Sequence, residues 1–89
     1  MPPKPRTIFL TFTACEDLVF WEQTNPKMVQ KINAILASIL VDPVSGIGKP
    51  EKLKYQLSGT WSRRIDHRHR IVYEIQGGSV VVLQFQDHY

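Results

Sequence analysis

Two prolines, Pro26 and Pro43, bracket the stretch that constrains this chain most. Between them Met28, Val29, Ile32, Ile35, Leu36 and Ile39 recur at intervals of three and four, which puts all six on one face of a helix. Asn25 is suited to cap that helix and Pro26 to open it, where a missing N–H and a fixed φ do no harm. Asp42-Pro43 stops it, so the spacing predicts a helix from Pro26 to about Val41. An apolar stripe of this kind must be covered. In 89 residues there is room for one such core and no second domain, so residues 1–89 are expected to form a single domain around it.

The flanking segments supply the cover. After a proline-rich leader over residues 1–6, expected to be flexible, Thr7 to Phe12 alternates as a short strand. Thr13 and Glu16 have the spacing of a capping box, which predicts a helix running from there to about Gln23. Beyond Val41, Pro43, Gly46, Gly48 and Pro50 mark a loop continuing to about Gln56, a length that is more often functional than idle in a small domain. Three strands follow, Thr60–Asp66, His69–Gln76 and Ser79–His88, the last two joined by a two-residue turn at Gly77-Gly78. The expected fold is α+β: two helices packed on a mainly antiparallel four-stranded sheet, in the order βααβββ.

Charge is unevenly placed. Residues 49 to 70 carry Lys49, Lys52, Lys54, Arg63, Arg64, Arg68 and Arg70 against Glu51 and Asp66, seven bases to two acids and a local balance of +5, while the remainder of the chain carries −2. Such a segment attracts a polyanion, with an affinity that falls as salt rises. The lone Cys15 has no intramolecular partner and no basic neighbour, so it reads as an inert structural thiol with the burial habit of free cysteines. No signal-peptide pattern and no long apolar run is present, which makes a soluble cytoplasmic protein the expectation. His67, His69 and His88 lack a second ligand cluster, and the glycines match no phosphate-binding pattern, so neither a metal nor a nucleotide cofactor is expected.

What remains suits cleavage of RNA by side chains alone. Such a reaction needs a base for the 2′-hydroxyl, cations for the charge on phosphorus, and an acid for the leaving oxygen. Glu51 stands in a field of lysines, the segment Arg63 to Arg70 offers guanidinium groups able to grip phosphate, and His88 titrates near neutrality. His88-Tyr89 closes the sequence directly after a strand, which would present a titrating group and a stacking aromatic at an edge. Trp21, Trp61, Tyr73 and Phe85 read as packing residues rather than base-stacking ones, and His67 and His69 as solvated turn residues.

The run GKPEKLKYQLSGTWSRRIDHRHRIVYEI from Gly48 to Ile75, the terminal His-Tyr, and EDLVFWEQTNPKMVQKIN from Glu16 to Asn33 together closely resemble the YoeB branch of the RelE-like toxins. The likeness covers nearly everything after the leader. It implies an mRNA interferase, the toxin of a type II toxin-antitoxin system, which cleaves the message in the ribosomal A site. It also implies silencing by an antitoxin of the YefM type, contact with operator DNA only through the antitoxin complex, a possible homodimer, and no membrane. Matched residue by residue, Glu51 resembles the general base, Arg70 the phosphate-stabilising arginine, His88 the general acid and Tyr89 the base-contacting aromatic. Lys54 and Arg64 fall on basic positions of that site, and Lys49, Lys52, Arg63 and Arg68 complete the expected RNA contacts. The extension at the N-terminus and the basic turn Asp66-His67-Arg68 depart from the pattern.

A geometric condition follows. With an ideal two-residue turn, paired residues of the last two strands sum to 155, so Arg70 would face Phe85, His88 would face His67, and Arg70 and His88 would point to opposite sides. A common site therefore requires a bulge in the last strand, or an unpaired terminus that turns back. Two rival functions remain on the sequence: a nucleic-acid or ribosome-binding module without catalysis, and a toxin of the same fold that inhibits gyrase.

Overall fold

The computed structural model describes residues 7–53 and 59–87. The leader, Lys54 and the terminal pair His88 and Tyr89 therefore lie outside the described residues. Seven elements follow in order: β1 (Thr7–Leu10), α1 (Phe12–Thr24), α2 (Pro26–Val41), β2 (Glu51–Lys52), β3 (Thr60–Arg64), β4 (Arg70–Gln76) and β5 (Ser79–Gln84). The sheet has five strands rather than the four expected, in the spatial order β1-β5-β4-β3-β2. The fifth is β2, a two-residue strand inside the expected loop, where Glu51 pairs with Ser62 and Lys52 with Trp61. The sheet is mixed: β1 runs parallel to β5 and all other neighbours are antiparallel.

The α2 stripe packs as its spacing dictates. Met28, Ile32, Ile35 and Ile39 are buried against Ile71 and Tyr73 of β4 and Val80 and Val82 of β5, with Val29 and Leu36 at the margin. Each fully buried aliphatic chain contributes about 1.5–3 kcal/mol. Both helices thus lie on one face of the sheet, leaving the other face open for a site. Asn25 holds the N-cap position of α2 but makes no side-chain capping bond. At the other end Asp42 accepts the Val44 amide (2.9 Å), turning the chain out of the helix.

The start of α1 differs from the expectation. Thr11, not Thr13, is the cap, and its hydroxyl accepts the Ala14 amide (3.1 Å) while donating to the Leu83 carbonyl (3.1 Å). The helix therefore opens at Phe12, whose ring is exposed instead of closing the strand. Cys15 is also exposed, against the burial expected of it, because it sits on the outer side of α1. In the hairpin, Gly77 takes φ +58°, as the first position of a type II′ turn requires. Pairs from Gln76↔Ser79 to Tyr73↔Val82 keep the ideal register, but Val72 pairs with Gln84, one residue late. The last strand thus carries a bulge at Leu83.

Candidate functional site

The open face of the sheet gathers alternate residues from its strands. Glu51, Ser62, Val72 and Gln84 form a row of direct neighbours across β2, β3, β4 and β5, and Arg64 lies opposite Arg70 one step along. Like charges placed directly opposite each other oppose pairing, so the two arginines are not there for the sheet's benefit. Arg70 reaches sideways instead, its Nη1 3.6 Å from Glu51 Oε2 and 3.5 Å from Ser62 Oγ. Glu51 and Arg70 are thus brought together from separate strands. Their side chains are 64% and 40% exposed. Such a solvated pair is worth about 0–1 kcal/mol to the fold, and little opposes its opening to admit an anion.

Next to the pair lies a cavity of about 430 Å³. Arg68, Arg70 and Asp87 give it a charged margin, Ser62 and Gln84 line it with hydrogen-bonding groups, and Val72 and Leu83 form an apolar floor. The bulge places Leu83 and Gln84 together on this lining. A cleft that combines an apolar floor with guanidinium groups suits a nucleotide, whose base is flat and apolar and whose phosphate is anionic.

The loop before Glu51 is positioned from beneath. Gly48, at φ +83°, lies so close to β3 that a Cβ there would stand 3.0 Å from the Arg64 carbonyl oxygen, and its own carbonyl accepts the Arg64 amide at 2.6 Å. Arg63 holds the rest. It was expected among the RNA contacts, but it is fully buried, and all five of its N–H donors are committed. Nε donates to the Tyr73 hydroxyl, Nη1 to Ser38 Oγ and the Ile47 carbonyl, and Nη2 to the carbonyls of Asp42 and Ser45. The Tyr73 hydroxyl in turn donates to the Pro43 carbonyl at 2.7 Å. This arginine organises the loop from 42 to 47 and is not available to RNA. Burial pushes the Tyr73 hydroxyl above its usual value, against the lowering influence of Arg63. The Val44 amide, then the Ser45 hydroxyl, hold the Asp42 carboxyl below the usual range.

Of the other basic residues, Lys49, Lys52, Arg64 and Arg68 are exposed. The turn before Arg70 is set by Asp66, whose Oδ1 accepts the amides of Arg68 (2.9 Å) and His69 (2.7 Å). Partial burial raises the Asp66 carboxyl, but those amides and the nearby histidines outweigh it, so it lies below the usual range. His69 is half-buried rather than solvated, its ring edge-on to Trp21. Trp21 itself donates Nε1–H to the Phe85 carbonyl (2.9 Å). Among the described residues no group of three or more His, Cys, Asp or Glu side chains could hold a metal ion, and no described helix is long and apolar enough to cross a membrane.

Comparison with known proteins gives the family of the chain and agrees with its fold. The family model for the YoeB-like toxin of bacterial type II toxin-antitoxin systems matches residues 10–89. The chain is 46% identical over 82 residues to toxin YoeB of Streptomyces coelicolor, covering 90% of this chain and 98% of that protein. The YoeB dimer from Staphylococcus aureus superposes with a TM-score of 0.86 at 41% identity, over 98% of this chain and all of that one. A heterotetrameric YoeB-YefM toxin-antitoxin complex from the same organism gives 0.85 at 41% identity, with the same coverage. The chain belongs to the YoeB-like toxins of bacterial type II toxin-antitoxin systems.

Proposed function

We propose that this toxin is an endoribonuclease that cleaves messenger RNA in the ribosomal A site. The observation that carries the reading is the meeting of Glu51 and Arg70 at 3.6 Å on an open basic face, beside a cavity lined by Asp87, the residue before His88. An incoming phosphodiester draws Arg70 away from Glu51, which frees the carboxylate as a base. Glu51 removes the 2′-hydroxyl proton, the oxygen attacks the adjacent phosphorus, and Arg70 stabilises the charge on the non-bridging oxygens. The P–O5′ bond breaks, His88 protonates the departing oxygen, and a 2′,3′-cyclic phosphate remains. Tyr89 stacks on a neighbouring base, while Lys49, Lys52, Lys54, Arg64 and Arg68 hold the backbone and ribosomal RNA. The dimeric and YefM-bound YoeB of Staphylococcus aureus support a homodimer and a YefM-type antitoxin for this chain as well.

Primer extension on a message in a purified translation system tests the reading, comparing wild type, Glu51→Ala and His88→Ala with and without ribosomes. Cuts at codon positions that need both ribosomes and wild-type protein are the expected result. Absence of cuts, with salt-sensitive ribosome or RNA binding kept by all three proteins, would assign a binding module instead. Gyrase inhibition without RNA cleavage would assign the remaining rival.

A further inference from the structure

Past Gln84 the chain leaves the sheet, yet side chains from two other parts of the molecule hold its backbone. Asp17, buried on α1, accepts the Phe85 amide at Oδ2 (3.0 Å), and Trp21, one turn on, donates to the Phe85 carbonyl (2.9 Å). Two residues later the Asp87 amide donates to Nδ1 of His69 (3.1 Å), whose ring stands edge-on to Trp21 with centroids 4.9 Å apart. The backbone of His69 is itself fixed, its amide by Asp66 Oδ1 (2.7 Å) and its carbonyl by the Ile65 amide (2.9 Å).

Covering the Phe85 ring would need only apolar neighbours. A buried carboxylate, an indole N–H and an imidazole instead add direction, since hydrogen bonds weaken steeply off line. They fix the path of residues 85 to 87, not just their burial. His69 also directly precedes Arg70, so one short turn both presents the phosphate-binding arginine and grips the approach to the chain's last two residues. We propose that His69 is a positioning residue for RNA cleavage: through the Asp87 amide it fixes the residue that leads into His88 and Tyr89 relative to Arg70, with Asp17 and Trp21 anchoring Phe85 two residues earlier. This rests on the catalytic reading of His88 given above. His69 touches no substrate and acts only as an acceptor at Nδ1.

The test uses His69→Leu, which keeps bulk and loses the acceptor, and His69→Asn, whose Oδ1 restores an acceptor at the same distance along the side chain. Three measurements are made on each full-length protein: amide hydrogen exchange at Asp87 and in β4, affinity for the programmed ribosome, and single-turnover cleavage of the message. For His69→Leu, exchange at Asp87 rises about tenfold with β4 still protected, ribosome affinity holds, and cleavage falls about 10²-fold, the scale of a 1 Å misplacement. His69→Asn recovers most of both losses. Cleavage by His69→Leu at the wild-type rate overturns the inference alone, as does an equal loss in the two variants. Should His69→Leu fail to fold, the Asn variant decides: slow cleavage despite a protected Asp87 amide overturns the proposal, and near-wild-type cleavage with that amide protected upholds it. A wild-type protein that cuts no message overturns the catalytic reading and this inference with it.

Discussion

Arg63 and Arg64 are neighbours in sequence and opposite in use. Arg63 is buried with every donor engaged, whereas Arg64 is exposed across from Arg70. Removing the buried guanidinium strands its acceptors, at about 1–3 kcal/mol for each that stays dry, so Arg63→Met should lower the urea midpoint sharply. Arg64→Ala should stay within about 0.5 kcal/mol of wild type and weaken ribosome binding instead. Glu51→Gln and Arg70→Ala form a second contrast. Their exposed ion pair contributes at most about 1 kcal/mol to stability, while single-turnover cleavage should fall by about 10² to 10⁴. Retained folding with lost cleavage is the expected pattern, and unfolding of either variant would remove both from the site. The fate of Arg63 was legible in part. On a strand its side chain shares a face with Trp61, already read as a packing residue, so alternation alone points it toward the core. What the sequence lacked was its set of acceptors, four of them drawn from residues 38 to 47, outside the sheet.

Among elements, α2 was the most legible because its stripe, its proline start and its Asp-Pro stop agree. The start of α1 was not, because Thr11 and Thr13 both offer a capping hydroxyl and local spacing favours Thr13 with Glu16. A long-range bond decides it: only the Thr11 hydroxyl also reaches Leu83 on the bulged strand. Thr11→Ala should therefore cost about 1–2 kcal/mol and lower Tm, with Thr13→Ala near neutral. Equal effects would mean that the cap contributes nothing beyond local spacing. β2 could not be read, since two residues show no periodicity and their pairing depends on Gly48 docking against β3. The parallel partnership of β1 with β5 was equally hidden, because alternation reveals a strand but not its neighbour. The bulge was legible by conflict: an ideal register would have set the expected site residues on opposite faces, and the strand breaks register at Leu83.

At the scale of the whole molecule, charge sets the conditions under which fold and site persist. Three described arginines lie at the open face and its margin once Arg63 is withdrawn, Arg64, Arg68 and Arg70, while Lys49 and Lys52 are exposed beside them on the loop and on β2. Each contact with single-stranded phosphate adds about 0.7 to the slope of log affinity against log salt, so Arg68→Ala should flatten that slope by about this amount. Protons act on the fold at two ends of the pH range. Asp42 and Asp66 titrate below their ordinary value in the folded chain, so they stabilise it above about pH 4, the unfolded value, and that contribution is lost as pH falls through their lowered values. Tyr73 is the reverse case. Its raised value means that its stabilisation is complete below about pH 10 and is lost as pH rises through the folded value, when ionisation would place a negative charge in the core and remove the hydrogen bond that the hydroxyl donates to the Pro43 carbonyl. Urea midpoints across pH isolate each group by difference. The gap between wild type and Asp42→Asn should close below about pH 4, and the gap between wild type and Tyr73→Phe above about pH 10. Because Asp42 and Tyr73 both meet the Arg63 network that carries the loop to Glu51, these two limbs bound the range in which cleavage can persist; within it the rate should follow the proposed base and acid of the open face, and a rate that stayed flat from one limb to the other would count against acid-base catalysis.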